Sequence, residues 1–83
     1  MEKIIRTHNG FITILDKEVI RENKKHEIEI DIWFTNSKDK TSTVLNFRDI
    51  YELENALVQI DEVFNKLLEK EENASKDTGK RNE

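Results

Sequence analysis

Three acidic side chains alternate along one stretch of the sequence, and they are the first candidates for chemistry. Glu27, Glu29 and Asp31 are each two residues apart, so in a β-strand all three lie on one face. Such a row would hold a divalent cation only if further oxygen ligands converged from neighbouring strands. We therefore interpret the row as a solvated face, and we predict neither a metal site nor a cofactor.

The two histidines, His8 and His26, each border a segment with turn-type composition. Histidine is a common general base and metal ligand, but neither residue has a second histidine at ligand spacing. We interpret both as exposed residues at strand ends. The only glycines are Gly10 and Gly79, so the phosphate-binding and serine-nucleophile motifs that need several glycines are missing. The sequence predicts a protein that is not an enzyme.

Trp33 is the residue that most favours a binding role. Alternation places it on the opposite face of its strand from the neighbouring isoleucines, and Val44 has the same outward parity in the next strand. One of two pairs in an earlier strand must join them: Ile12 and Ile14, or Phe11 and Leu15. An outward tryptophan with aliphatic neighbours is a typical interface anchor. We predict partner binding through Trp33, Val44, Glu27, Glu29 and Asp31; burial of the tryptophan by a dimer or a curled sheet is the alternative.

Six basic residues lie near one edge of the predicted sheet. They are Lys17, Arg21, Lys24, Lys25, Lys38 and Lys40. With Trp33 as a stacking platform they indicate an alternative function, the binding of single-stranded nucleic acid. Loop lysines are usually solvated, however, and edge lysines also deter aggregation.

Four strands and one helix must position these residues. The dipeptide Asn9-Gly10 lies between two β-branched runs and predicts a hairpin with a type I′ turn, which needs positive φ at both central residues. The predicted strands are Lys3–Thr7, Phe11 to about Ile20, His26–Thr35 and Thr41–Phe47. The element order predicts an α+β fold, an antiparallel β-β-β-β sheet packed by one long C-terminal amphipathic helix.

The helix is predicted from Asp49 to about Glu72. Its apolar residues recur at alternating steps of three and four and form a seam: Ile50, Leu53, Leu57, Ile60, Phe64 and Leu67, widened by Ala56 and Val63. Asp49 followed by Glu52 is a capping-box pattern. We predict a single domain over residues 1–72 and a disordered polar tail over residues 73–83.

The length of this helix predicts a homodimer. A helix of about 23 residues is roughly 34 Å long, whereas a strand of seven or eight residues spans roughly 25 Å. The helix should therefore overhang the sheet at its C-terminal end, and we expect a dimer interface there, formed by Ile60, Phe64, Leu67 and Leu68. Leaving such side chains in water would forgo roughly 1.5–3 kcal/mol each. Fraying of the helix or curling of the sheet is the alternative.

The charge distribution disfavours nucleic acid as the partner. The net charge is −4, and residues 48–72 contain three basic and eight acidic residues. The acidic helix flank consists of Glu52, Glu54, Asp61 and Glu62. Such a surface repels nucleic acid and anionic membranes and favours a basic protein partner. The sequence has no apolar run typical of a signal peptide or membrane span, so we predict a cytoplasmic protein with no membrane association.

The segment from Thr41 into the helix resembles the strand-to-helix joint of the transcriptional coactivator family of single-stranded-DNA-binding domains. The resemblance lies in the order and length of the elements, with Ser42-Thr43-Val44-Leu45 where that family has a Gly-Ile-Ser/Thr-Leu signature. It implies a four-stranded antiparallel sheet, a C-terminal helix, dimers formed through helices and binding of single-stranded DNA.

Our first hypothesis is a small, acidic, non-catalytic interaction protein, a dimeric regulator or inhibitor of a protein partner. The lysine-, asparagine- and isoleucine-rich composition is typical of accessory proteins of low-GC bacteria and their phages. The alternative hypothesis is a single-stranded nucleic-acid-binding protein of the coactivator type.

Overall fold

The computed structural model describes the backbone of residues 1–77 and the side chains of residues 1–74. Four antiparallel strands form one sheet, and a helix follows them. The elements are β1 (Glu2–Thr7), β2 (Gly10–Ile20), β3 (His26–Asn36), β4 (Thr41–Phe47) and α1 (Ile50–Asp77). The predicted α+β class, the antiparallel sheet and the C-terminal helix are confirmed, and each strand begins and ends within one residue of its prediction.

The chain divides into two compact units. The first, Met1–Leu53, contains the sheet and the first turn of α1, and the second begins at Glu54. The prediction of a single domain over residues 1–72 stays a prediction.

The sheet is a meander in which each strand pairs with its neighbour in the sequence, in the order β1-β2-β3-β4. Ile30, near the middle of β3, lies opposite Asp16 of β2 and Phe47 of β4. It is the one apolar side chain of residues 1–74 that is buried, with 4% of its surface exposed. The other apolar side chains on this face are at least partly accessible. They are Ile5, Ile12, Ile14, Ile20, Ile28, Ile32, Phe34, Leu45 and Phe47.

The first hairpin has a different turn from the predicted one. Thr7 pairs with Gly10, so the two central residues are His8 and Asn9 rather than Asn9 and Gly10. None of these residues has positive φ, so the type I′ prediction is wrong, although the hairpin itself is confirmed. The Asn-Gly pair correctly indicated where the hairpin turns, but it did not indicate the type of turn.

Gly10 is required for close approach, not for a left-handed backbone. A Cβ atom added to it would lie 1.9 Å from the carbonyl oxygen of Thr35 in β3. Beside it, the amide of Ser37 donates a hydrogen bond to the carbonyl of Asn9 over 3.0 Å. The turns β1–β2 and β3–β4 are therefore held side by side at one end of the sheet.

The start of α1 shows the N-cap half of the predicted capping box, whereas the Glu52 carboxylate bonds to the amide of Arg48 and not to that of Asp49. The Asp49 Oδ1 atom accepts hydrogen bonds from the amides of Tyr51 (3.0 Å) and Glu52 (2.9 Å). In return, the Glu52 carboxylate accepts one from the amide of Arg48 over 2.7 Å. These bonds satisfy amides that have no partner within the helix.

The helix ends later than predicted. It continues to Asp77, beyond the predicted end at about Glu72, and the disordered tail over residues 73–83 stays a prediction. Neither glycine nor proline lies between Asp49 and Gly79, and residues such as Ala74 and Lys76 are good helix formers. The rest of the predicted tail, residues 78–83, lies outside the described residues.

Candidate interaction surface

The register of the sheet assembles one face around Trp33, which we call the tryptophan face. Directly opposed residues of antiparallel strands share a face. Trp33 lies opposite Thr13 of β2 and Val44 of β4, and Thr13 in turn lies opposite Ile4 of β1. The result is one row across all four strands. Its three large apolar members are substantially exposed: Ile4 at 47%, Trp33 at 37% and Val44 at 40%.

The register also decides which pair of β2 residues joins Trp33. Phe11 and Leu15 lie opposite Thr35 and Asp31, so they share the tryptophan face and are partly buried beside it. Phe11 is a diagonal neighbour of Trp33 across the β2–β3 pair, a spacing within reach of aromatic side chains. The apolar part of the face thus contains two aromatic residues, of which sequence reasoning singled out one.

Arg21 pairs with two acidic side chains at the end of this face nearest the β2–β3 turn. Its Nε atom lies 2.7 Å from Glu27 Oε1, and its Nη1 atom lies 3.3 Å from Glu29 Oε2. Its Nη2 atom donates a hydrogen bond to the carbonyl of Arg48, just before the helix. The bond to Glu27, with the nearby charge of Glu29, raises the pKa of Arg21. One guanidinium therefore links the β2–β3 turn, β3 and the chain segment that follows β4.

The remaining acidic groups of the row also have partners. The Asn46 side-chain nitrogen donates to Glu29 Oε1 (3.2 Å) and to Asp31 Oδ1 (2.6 Å). Lys17 Nζ lies 3.5 Å from Glu29 Oε1. The hydrogen bond from Asn46, together with Lys17 and Arg21, lowers the pKa of Glu29. The predicted acidic row is present on one face, and Lys17 and Arg21 compensate part of its charge.

The six basic residues predicted as nucleic-acid contacts lie at separate places in the structure. Lys17 and Arg21 are engaged by the acidic row. Lys24 and Lys40 have left-handed backbones, with φ of 60° and 59°, at the β2–β3 and β3–β4 turns. Lys25 and Lys38 are exposed beside those turns, at opposite ends of β3. The six cations therefore do not form one patch.

The acidic helix flank is accessible but not uniform. Glu52 is used in the helix cap, whereas Glu54, Asp61 and Glu62 are exposed. The spacing of seven residues places Glu54 and Asp61 on one side of α1. The role of this flank in binding a basic partner stays a prediction.

The residues predicted to form the dimer interface are exposed on α1. Ile60, Phe64, Leu67 and Leu68 have between 41% and 61% of their surface accessible. Apolar side chains at this spacing form one stripe along a helix. The dimer interface predicted at these residues stays a prediction.

The histidines take positions at strand ends, as predicted. His8 is exposed in the first turn, and His26 begins β3, with its Nδ1 atom 3.5 Å from Glu18 Oε2. Within the described part of the chain, no three acidic or histidine side chains converge as metal ligands. An open recess of about 580 Å³ lies beside the β2–β3 turn and is lined by Ile20, Arg21, Glu22, Asn23 and Arg48.

Comparisons with protein-family models, curated proteins and solved structures found no match for this chain. In the described residues, no helix is long and apolar enough to cross a membrane.

Proposed function

We propose that this protein is a non-catalytic, cytoplasmic regulator or inhibitor that acts as a homodimer and binds a protein partner through the tryptophan face. The observation that carries the proposal is the exposed row of Ile4, Trp33 and Val44 across the whole sheet. Thr13 of β2 lies between Ile4 and Trp33 in this row, and a sheet face that exposes several large apolar side chains is typical of an interaction site. The absence of cysteine accords with a reducing compartment.

The charged groups beside this row are already paired within the sheet. They therefore favour a partner that is recognised by its shape and by burial of apolar surface, not by long-range electrostatic attraction. Glu27, Glu29 and Asp31 are engaged by Arg21, Lys17 and Asn46, so they form a polar rim with fixed geometry. An apolar centre with a polar rim is the usual anatomy of a protein interface. The partner therefore needs an apolar pocket for Trp33.

The test compares capture of partners from cell lysate by the wild type, Trp33→Ala and Ile20→Ala. Ile20 is an exposed apolar residue at the end of β2 on the opposite face, so it is a matched control. We expect one protein to be retained by the wild type and by Ile20→Ala and lost with Trp33→Ala, since interface tryptophans often contribute about 2 kcal/mol or more. Equal capture by all three proteins would contradict the proposal.

One observation favours the alternative, single-stranded nucleic-acid binding. Phe11 and Trp33 are diagonal neighbours on the same face, and two adjacent aromatic rings can stack successive bases. Titration of labelled oligo-dT at two salt concentrations tests it. Binding that weakens steeply with salt and is abolished by Trp33→Ala would favour this function, whereas no binding at tens of micromolar would leave the protein-partner proposal.

A further inference from the structure

β4 is an unprotected edge of the sheet. It is the last strand in the order, and within residues 1–77 it pairs only with β3. The seven residues Thr41–Phe47 include no charged residue and no proline, and all except Phe47 are exposed. Natural edge strands usually carry charges, proline or bulges, because their free N–H and C=O groups can pair with another strand. The opposite edge, β1, does carry such charges: Glu2, Lys3 and Arg6.

We propose that β4 pairs antiparallel with β4 of a second copy of this chain, around a twofold axis at Val44, to form a continuous eight-stranded sheet. The inference deepens the homodimer of the proposed function and rests on it. It adds a specific contact, main-chain pairing at one sheet edge, to the helix stripe predicted from the sequence.

In this register, Ser42, Val44 and Asn46 each lie opposite a side chain of similar polarity from the second copy. Around an axis at Val44, Ser42 lies opposite Asn46 of the second copy on the tryptophan face, so polar meets polar. Thr43 lies opposite Leu45 on the other face, a β-branched residue beside an aliphatic one. Val44 meets its own copy at the axis. Directly opposed side chains on one face of an antiparallel pair are close enough to interact.

Neighbouring registers are worse by the same criteria. An axis at Thr43 or Leu45 would pair five residues of β4 instead of all seven. It would also place Val44 opposite Ser42 or Asn46, an apolar side chain against a polar one. Shifts by single residues about the axis thus lose both hydrogen bonds and side-chain complementarity.

The pairing also extends the tryptophan face. Val44 is the last member of the row that begins at Ile4, so the two rows meet at the axis and continue from one copy into the other. Two Trp33 side chains would then lie three strand spacings apart, roughly 14–15 Å. Because the twofold contact uses each β4 once, the charged β1 strands remain at the outer edges and the assembly closes at two copies.

Disulfide trapping tests the contact directly, because the protein has no cysteine of its own. In Val44→Cys the two thiols would be directly opposed, within the Cα separation that a disulfide requires. The matched control is Ile4→Cys, an exposed apolar residue on the same face of the other edge strand. Under mild oxidation at micromolar protein, we expect Val44→Cys to cross-link on the order of a hundredfold faster than Ile4→Cys, since pairing raises the effective thiol concentration to the millimolar range.

A second pair of variants tests the edge without cysteine. Ser42→Lys adds the charge that protects other edge strands, and Thr7→Lys adds it to β1; each replaces an exposed hydroxyl that makes one side-chain hydrogen bond. In sedimentation measurements we expect the dimer dissociation constant to rise about tenfold or more for Ser42→Lys, equivalent to 1.4 kcal/mol, and to stay unchanged for Thr7→Lys.

The outcomes separate this inference from the proposed homodimer. A wild type that is dimeric, together with equal cross-linking of the two cysteine variants and a dimeric Ser42→Lys, would overturn the strand pairing and leave the dimer to the helix stripe. A wild type that is monomeric at high micromolar concentration would overturn both.

Discussion

Arg21 has a different role in the structure from the one that the sequence predicted. From the sequence it was a candidate phosphate contact, and Glu27 and Glu29 were candidate recognition groups. The structure joins the three side chains in one cluster with distances of 2.7 and 3.3 Å. Their pairing depends on how the β2–β3 turn folds back, which local composition does not specify. The sequence therefore predicted that Glu27 and Glu29 share a face, but not that both contact Arg21.

Glu29 provides a pH-dependent prediction. Its pKa is lowered in the folded protein from the ordinary value of 4.5 by the Asn46 hydrogen bond and by Lys17 and Arg21. The unfolded chain therefore binds a proton first as pH falls. The stabilisation is fully present above about pH 4.5 and is lost as pH falls through the folded-state pKa. We expect Glu29→Gln to lower the melting temperature at neutral pH and to match the wild type more closely in acid.

Thermal melts across the acidic range, read by circular dichroism, make this measurement. Glu22→Gln is the control, because Glu22 is exposed and no ion pair of its carboxylate is found within residues 1–74. A constant difference between wild type and Glu29→Gln at every pH would argue against the assignment.

Gly10 gives a second prediction at this scale. Replacement by alanine would place Cβ 1.9 Å from the Thr35 carbonyl oxygen, so β2 and β3 must separate locally. We expect Gly10→Ala to reduce the free energy of unfolding by about 1–3 kcal/mol, the usual effect of overpacking. Urea denaturation measures it, with Ser37→Ala in the neighbouring turn as the control. If both variants were as stable as the wild type, the close approach would not matter.

The secondary-structure elements were the most predictable level of the molecule. Strict alternation from His26 to Thr35 identifies β3, because a half-buried strand needs a period of two. The turn at His8-Asn9 was not predictable in detail, since the pairing of Thr7 with Gly10 reflects the whole sheet. The end of α1 was missed because polarity alone was taken to end a helix, although no glycine or proline lies between Asp49 and Gly79.

The start of α1 supplies a prediction about an element. Asp49 accepts two amide hydrogen bonds of the first turn. We expect Asp49→Ala to lower the free energy of unfolding by about 1 kcal/mol, the typical contribution of an N-cap. Glu54→Ala, an exposed residue one turn later, should have a much smaller effect. Urea denaturation followed by the helical circular-dichroism signal distinguishes the two variants, and equal losses would contradict the capping role.

The molecule exposes many of its large apolar side chains. Large apolar side chains are accessible on both faces of the sheet and along α1, and a chain of 83 residues has little other surface to bury. Small proteins commonly gain the missing burial by association. The sequence predicted this for one end of the helix and for Trp33 and Val44 on the sheet; the register was needed to add Ile4 and to decide which β2 pair joins them.

A pair of helix variants tests association through the stripe. Phe64→Glu places a charge within the stripe, and Val58→Glu places one at an exposed apolar position outside the seam. We expect Phe64→Glu to weaken dimerisation by at least about tenfold, because two copies of a side chain worth roughly 1.5–3 kcal/mol on burial are lost. Light scattering over a concentration series measures the change. An identical response of the two variants would exclude the stripe as an interface.

The order β1-β2-β3-β4 has a consequence for how the chain reaches its native state. Every strand pairs with the one next to it in sequence, so all loop closures are short and the entropy of bringing strands together is small. Folding rates fall as contacts become more distant in sequence. We expect a fast first-order phase that forms the meander, followed by a slower phase whose rate rises with protein concentration as two copies meet. Stopped-flow refolding at several concentrations would separate these phases.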